Sequence, residues 1–147
     1  MKEEATEFEP DIQTLGYYIN RALCVMIKRL NQELKSENLN FQHSDYTIMK
    51  VLNEKDGICQ SELARVLGKD RSGISRSLAS LEKDGYIVRK AMNGCTNRVY
   101  LTQNGKDIIP SLNKIATKIT DIAFQGFPEK KRREMMKSLT KIYRNSR

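Results

Sequence analysis

The sequence predicts a mainly α fold with a small β-wing: a winged helix-turn-helix flanked by long N- and C-terminal helices. Three observations predict it. Between Ser61 and Lys83, apolar residues recur at helical spacing on both sides of a glycine-bearing break at Gly68-Lys69-Asp70. Beyond Gly85, two stretches of alternating hydrophobicity flank Asn93-Gly94, a strong two-residue hairpin signal. Outside this central stretch the chain carries two long apolar stripes of helical period, one towards each end.

In chain order, residues 1–10 are acidic (Glu3, Glu4, Glu7, Glu9) and form a loose arm. From Asp11 to about Lys35, the residues Leu15, Ile19, Ala22, Leu23, Met26, Leu30 and Leu34 trace one face of a long helix. Ser44 is the expected cap of a shorter helix holding Tyr46, Ile48, Met49, Val51 and Leu52, with His43 just ahead of it. Ile58 begins a strand of one or two residues. Leu63, Ala64 and Leu67 stripe a helix of about two turns, which Gly68 stops by taking the left-handed conformation. Asp70 caps the next helix, whose buried stripe is Ile74, Leu78 and Leu81, and Lys83-Asp84-Gly85 ends it. Thr102 caps a second long helix carrying Ile108, Leu112, Ile115, Ile119 and Ile122, with Ile109, Ala116 and Ala123 on the adjacent face. Pro110 lies inside it and is expected to kink it. Phe127-Pro128 restarts the chain into a last helix with Met135, Met136, Leu139, Ile142 and Tyr143.

Opposite the buried stripe of the second short helix lie Arg71, Ser72, Ser75, Arg76 and Ala79. Small hydroxyls and guanidinium groups suit a surface that enters the DNA major groove, where large apolar groups would block approach and carboxylates would repel phosphate. In the wing, a two-residue type I′ turn at Asn93-Gly94 sets Met92 against Cys95, Val88 against Val99 and Tyr86 against Leu101, the last four on the core face. Arg89 and Arg98 then face one another on the outer side. Like charges across a ladder repel, so either an anion such as a phosphate lies between them or both splay into water.

Composition narrows the function classes. The 147 residues support one domain and a real core. A net charge of +8 suits a polyanionic partner. No apolar run approaches the ~20 residues of a membrane span, and Met1-Lys2-Glu3-Glu4 lacks the start of a secretory signal. The three cysteines (Cys24, Cys59, Cys95) are scattered without a CxxC pair, against a disulfide framework or a zinc site and in keeping with the cytoplasm. No catalytic constellation, cofactor loop or metal cluster is visible, so no enzyme and no cofactor are expected. The run Glu129-Lys130-Lys131-Arg132-Arg133 reads as the solvated first turn of a helix rather than a DNA contact.

The terminal helices carry more apolar surface than a small module can cover. Residues 11–40 and 103–147 are therefore expected to be dimerisation helices, and residues 41–102 the winged helix-turn-helix. A twofold homodimer sets two such helices roughly 34 Å apart, one DNA turn, and reads a pseudo-palindrome.

The chain resembles the MarR family of transcriptional regulators over almost its full length. The resemblance is carried by Ser61-Glu62-Leu63-Ala64, by Leu81-Glu82-Lys83-Asp84-Gly85-Tyr86-Ile87-Val88-Arg89, by Tyr100-Leu101-Thr102-Gln103-Asn104-Gly105 and by Ile109-Pro110. It implies a cytoplasmic homodimer joined through its terminal helices, which binds double-stranded DNA at a short operator, usually as a repressor, and is often relieved by a small ligand or an oxidant. It also implies a ligand pocket between the dimer helices and the winged module. Tyr17, Tyr18, Arg21 and Met49 are its candidate lining, since an aromatic carboxylate needs a ring contact and a cation.

The wing departs from the family pattern. Members usually carry Asp-x-Arg there, the arginine entering the minor groove; these positions hold Asn93, Gly94 and Cys95, in a loop about two residues shorter. Either Arg98 or Arg89 substitutes as a backbone contact, or the wing contributes little. Peroxide sensors of the family hold a reactive thiol near paired tyrosines. Tyr17-Tyr18 are present, but Cys24 lies two turns further on, beside the dimer stripe, and reads as an inert core residue. Cys59 is expected to be buried. Cys95, at the wing tip beside basic side chains that favour a thiolate, is the redox candidate. Two other classes stand beside this one: a protein-docking winged-helix adaptor with weakened DNA binding, and an RNA binder. The polar, basic face at Arg71, Ser72, Ser75 and Arg76 argues against an apolar docking surface, and its lack of aromatics argues against RNA.

Overall fold

The computed structural model describes residues 11–92 and 94–147; Asn93 and the expected acidic arm, residues 1–10, lie outside the described residues. A short 3₁₀ turn at Ile12–Thr14 leads into α1 (Leu15–Ser36), followed by α2 (His43–Glu54), β1 (Ile58–Cys59), α3 (Gln60–Leu67), α4 (Arg71–Lys83), β2 (Ile87–Met92), β3 (Cys95–Leu101), α5 (Gln103–Ala123) and α6 (Glu129–Asn145). The three strands form one antiparallel sheet in the order β1-β3-β2. Mainly helical, with a three-stranded wing, the chain has the winged helix-turn-helix architecture its periodicity predicts.

The core is a single cluster. Ile48, Met49 and Leu52 of α2 are completely buried against Leu63 of α3 and Leu78 of α4, and Ile87, Val99 and Leu101 close it from the sheet. Each such side chain contributes about 1.5–3 kcal/mol of burial. The cluster continues through Ile109, Leu112, Ile115 and Ile119 of α5 to Leu30 and Leu34 of α1, so the long helices are packed on the winged module at one end. The helix α5 runs on through Pro110. At their other ends the long helices are bare: Leu15, Leu23, Ile122, Met135, Met136 and Tyr143 are exposed, and α6 buries no residue.

Several local expectations are corrected. The cap of α2 lies two residues before Ser44, at Gln42, with His43 as the first residue of the helix. Asp45 is the reason, since its Oδ2 reaches back to accept the Gln42 N–H at 2.9 Å. The wing turn does pair Met92 with Cys95, but an irregularity between Lys90 and Met92 shifts the register by one. Ile87 therefore pairs with Leu101, Val88 with Tyr100, Arg89 with Val99 and Lys90 with Arg98. A one-residue slip exchanges the two faces of a strand. Ile87 is thus buried and Val88 is 37% exposed, and the expected Arg89–Arg98 confrontation does not exist.

The cysteines differ as well. Cys24 is exposed rather than in a core, because the part of α1 that carries it extends beyond the packed module. Cys59 is half-buried and disulfide-bonded, a cross-link that the cysteine spacing does not announce. The side chain of Cys95 lies outside the described residues.

Candidate nucleic-acid interface

The helix-turn-helix is built by two end signals. Gly68 takes a left-handed conformation (φ 59°), and the N–H groups of Gly68 and Lys69 donate to Arg65 and Ala64, closing α3. Asp70 then opens α4: its Oδ2 accepts the Gly73 N–H at 3.2 Å and also the Ser72 hydroxyl. These bonds, the Ser72 hydroxyl first, hold the Asp70 carboxyl below its usual range. The cap is therefore ionised at neutral pH, and its contribution is lost only as the pH falls through that lowered value. Asp70→Ala is expected to lower the thermal midpoint by a few degrees and to weaken DNA binding with it. Denaturation followed by circular dichroism checks this, and an unchanged midpoint would remove the cap from the account.

With α4 so anchored, Ile74, Leu78 and Leu81 point into the core. The opposite face is left with Arg71, Ser72 and Arg76 exposed and Ser75 half-buried. Arg71 and Ser75 lie one turn apart, as do Ser72 and Arg76, so the four form one patch. Neither arginine is drawn into a salt bridge among the described residues. The first turn of α4 holds no acidic residue. Two free guanidinium groups and two hydroxyls on a convex helix form a surface matched to base edges and phosphates.

The wing arginines are placed differently from one another. Arg98 is half-buried on the outer side of the sheet, and its guanidinium donates to the Gly57 carbonyl at 2.7 Å. Opposite it, exposed Lys90 lies over the Tyr100 ring at 5.4 Å. Arg89 points towards the helices, where Glu82 of α4 receives it: Nε and a terminal nitrogen donate to Oε2 at 2.9 and 2.6 Å. Sequence reasoning missed Glu82. Its signal was the spacing of seven between an acid on the last turn of α4 and a base on the strand that follows.

The effector candidates do not converge. Tyr17 and Tyr18 meet edge-to-face at 5.4 Å, and the Arg21 guanidinium lies 5.4 Å from the centre of the Tyr17 ring. Met49 is fully buried in the core. A cavity of about 220 Å³ between α1, α2 and α5 is lined by other side chains, among them Leu23, Met26, His43, Tyr46, Lys50 and Ile119. Burial, and then the charge of Lys69, lower the His43 pKa, so this ring is neutral at pH 7. In the basic run, Arg132 donates to the carbonyls of Phe124 and Phe127 at 3.1 Å, tying the end of α5 to the start of α6.

No helix of the described residues is long and apolar enough to cross a membrane. Residues 41–88 match the winged helix-turn-helix DNA-binding domain family. The chain is 24% identical over 114 residues to the HTH-type transcriptional regulator YybA of Bacillus subtilis (strain 168), covering 76% of each chain. It superposes on a MarR transcriptional regulator from Methanosarcina mazei Go1 with a TM-score of 0.84 and 26% identity, over 93% of this chain and 92% of that one. A Mycobacterium tuberculosis MarR family protein in complex with DNA shares the fold, with a TM-score of 0.71 and 19% identity over 87% of this chain and 96% of that one. In its DNA-binding domain, its relatives and its fold, the chain is similar to winged helix-turn-helix transcriptional regulators of the MarR family.

Proposed function

We propose that the protein is a cytoplasmic repressor that binds a pseudo-palindromic operator as a homodimer, with α4 of each subunit in the major groove. The observation that carries this reading is the polar, basic face of α4, where Arg71, Ser72, Ser75 and Arg76 stand together on a helix fixed from behind by three core side chains. The Mycobacterium tuberculosis neighbour, whose structure is a complex with DNA, supports it through the shared fold.

Dimerisation is supported by the helices outside residues 41–102. On α6, Met135, Met136, Leu139 and Tyr143 are all exposed, as are Leu15, Tyr17, Leu23 and Val25 on α1. Apolar surface of this extent on both terminal elements fits burial against a second copy. Relief of repression is assigned to a small effector in the cavity between α1, α2 and α5, where Tyr46, Lys50 and neutral His43 offer a ring, a cation and a polar nitrogen to an aromatic carboxylate. Tyr17, Tyr18 and Arg21 keep a ring-and-cation arrangement further along α1. Relief by oxidation is a second route, supported by the disulfide at Cys59, the residue that caps α3.

Footprinting on the DNA upstream of the gene tests the reading. The expected result is a protected pseudo-palindrome with half-sites about one turn apart, whose protection changes when a reductant opens the disulfide. A single unpaired half-site would remove the dimer, and equal protection with and without reductant would remove the oxidant route.

A further inference from the structure

Three groups of cations surround the face that meets DNA: Arg71 and Arg76 on α4, Arg98 and Lys90 on the outer side of the sheet, and Arg89 beneath it. Of these five, Arg89 is the one held in a salt bridge among the described residues; Asp70 and Glu62 act on Arg76 and Arg98 only from a distance. Glu82 holds Arg89 three times over, because Oε2 accepts two guanidinium N–H groups and Oε1 accepts the Arg89 backbone N–H at 3.2 Å. That backbone donor belongs to β2, an edge strand of the sheet, which has no neighbouring strand on that side among the described residues. Glu82 therefore fills the place of a neighbouring strand while it removes a cation from the wing.

We propose, building on the operator-binding reading above, that Glu82 is a positioning residue for DNA binding: it clamps the wing to the last turn of the recognition helix and withholds Arg89 from phosphate. Two physical arguments support it. First, the pair joins the two elements that approach the duplex, at the corner where α4 gives way to β2, so it sets the angle between them. Second, phosphate contacts raise affinity for every sequence alike, whereas base contacts discriminate. A cation held on a carboxylate leaves discrimination to α4. The register shift serves the same arrangement, since it turns Arg89 from the outer face of the wing to the face where Glu82 lies.

The test measures binding to operator and scrambled duplexes against salt for the full-length protein, its Glu82→Gln variant and the Glu82→Gln/Arg89→Ala double variant. Glu82→Gln keeps the shape but drops the charge. It is expected to bind the scrambled duplex more tightly at low salt, with a log–log salt slope steeper by about 0.9 per subunit, the signature of one added phosphate contact. Operator preference falls by the same factor. The double variant returns the slope to the wild-type value, which identifies Arg89 as the released cation. Thermal midpoints close to wild type show that folding is not what changed. An unchanged slope in Glu82→Gln, or a steeper slope that survives in the double variant, would overturn the proposal. If the wild-type protein prefers no sequence, the repressor reading fails, yet the slope on the scrambled duplex still decides the role of Glu82.

Discussion

Arg76→Ala is expected to weaken operator binding by about 1–3 kcal/mol, roughly fivefold to 150-fold, while affinity for scrambled DNA falls far less. The expectation follows from its place on α4. It is exposed, one turn from Ser72, and held by no salt bridge among the described residues, so its guanidinium is available for a bidentate contact with a base edge. Asp70 lies near enough to act on it electrostatically, but that carboxylate already accepts Ser72 and Gly73. Parallel titrations of both duplexes check the prediction. Equal losses on the two would make Arg76 a phosphate contact, and base discrimination would then rest on Arg71, Ser72 and Ser75.

Gly105→Ala is expected to destabilise the fold by about 1–3 kcal/mol or more, a fall in thermal midpoint of about 3 °C for each kcal/mol at this size. A Cβ at position 105 would lie 2.1 Å from the Tyr86 carbonyl oxygen and 3.2 Å from Leu101 Cδ2. The first contact is with backbone, and that oxygen already accepts the Thr102 N–H at 3.0 Å. Thr102 completes the joint, accepting the Gly105 N–H at 3.0 Å and donating its hydroxyl to the Gly85 carbonyl at 2.6 Å. The start of α5 is thus pressed on the turn between α4 and β2. Moving it displaces α4 relative to the long terminal helices, so on the proposed reading operator affinity falls together with stability. Calorimetry and binding of the same variant check both, and a midpoint within a degree of wild type would contradict the joint described.

What was legible in the chain was local. Gly68, Asp70 and Thr102 each announce a helix end through their own chemistry, and the structure uses all three as expected. The polar outer face of α4 was legible for a related reason: once Ile74, Leu78 and Leu81 point inwards, helical geometry leaves Arg71, Ser72, Ser75 and Arg76 on the other side. The strand register was not legible. Tyr86-Ile87-Val88 is apolar at every position, so alternation does not choose which residue turns to the core. The choice is made by contacts distant in sequence, with Ile87 against the helices and Arg89 on Glu82. The cap of α2 was misplaced because Ser44 has the commoner residue type, while the acid at Asp45 acts one residue later. The exposed flank of Cys24 was misread because a helix stripe does not show how much of it a single chain can cover.

The central claim is that α4 reads sequence, and fluorescence anisotropy tests it most directly. The DNA upstream of the gene and a scrambled duplex are titrated at two salt concentrations, and the bound stoichiometry is measured. The account predicts a preference of about a thousandfold or more near physiological salt, with two subunits on each site. Equal binding to both duplexes, falling steeply with salt, would contradict it and leave only a basic surface that recognises phosphate.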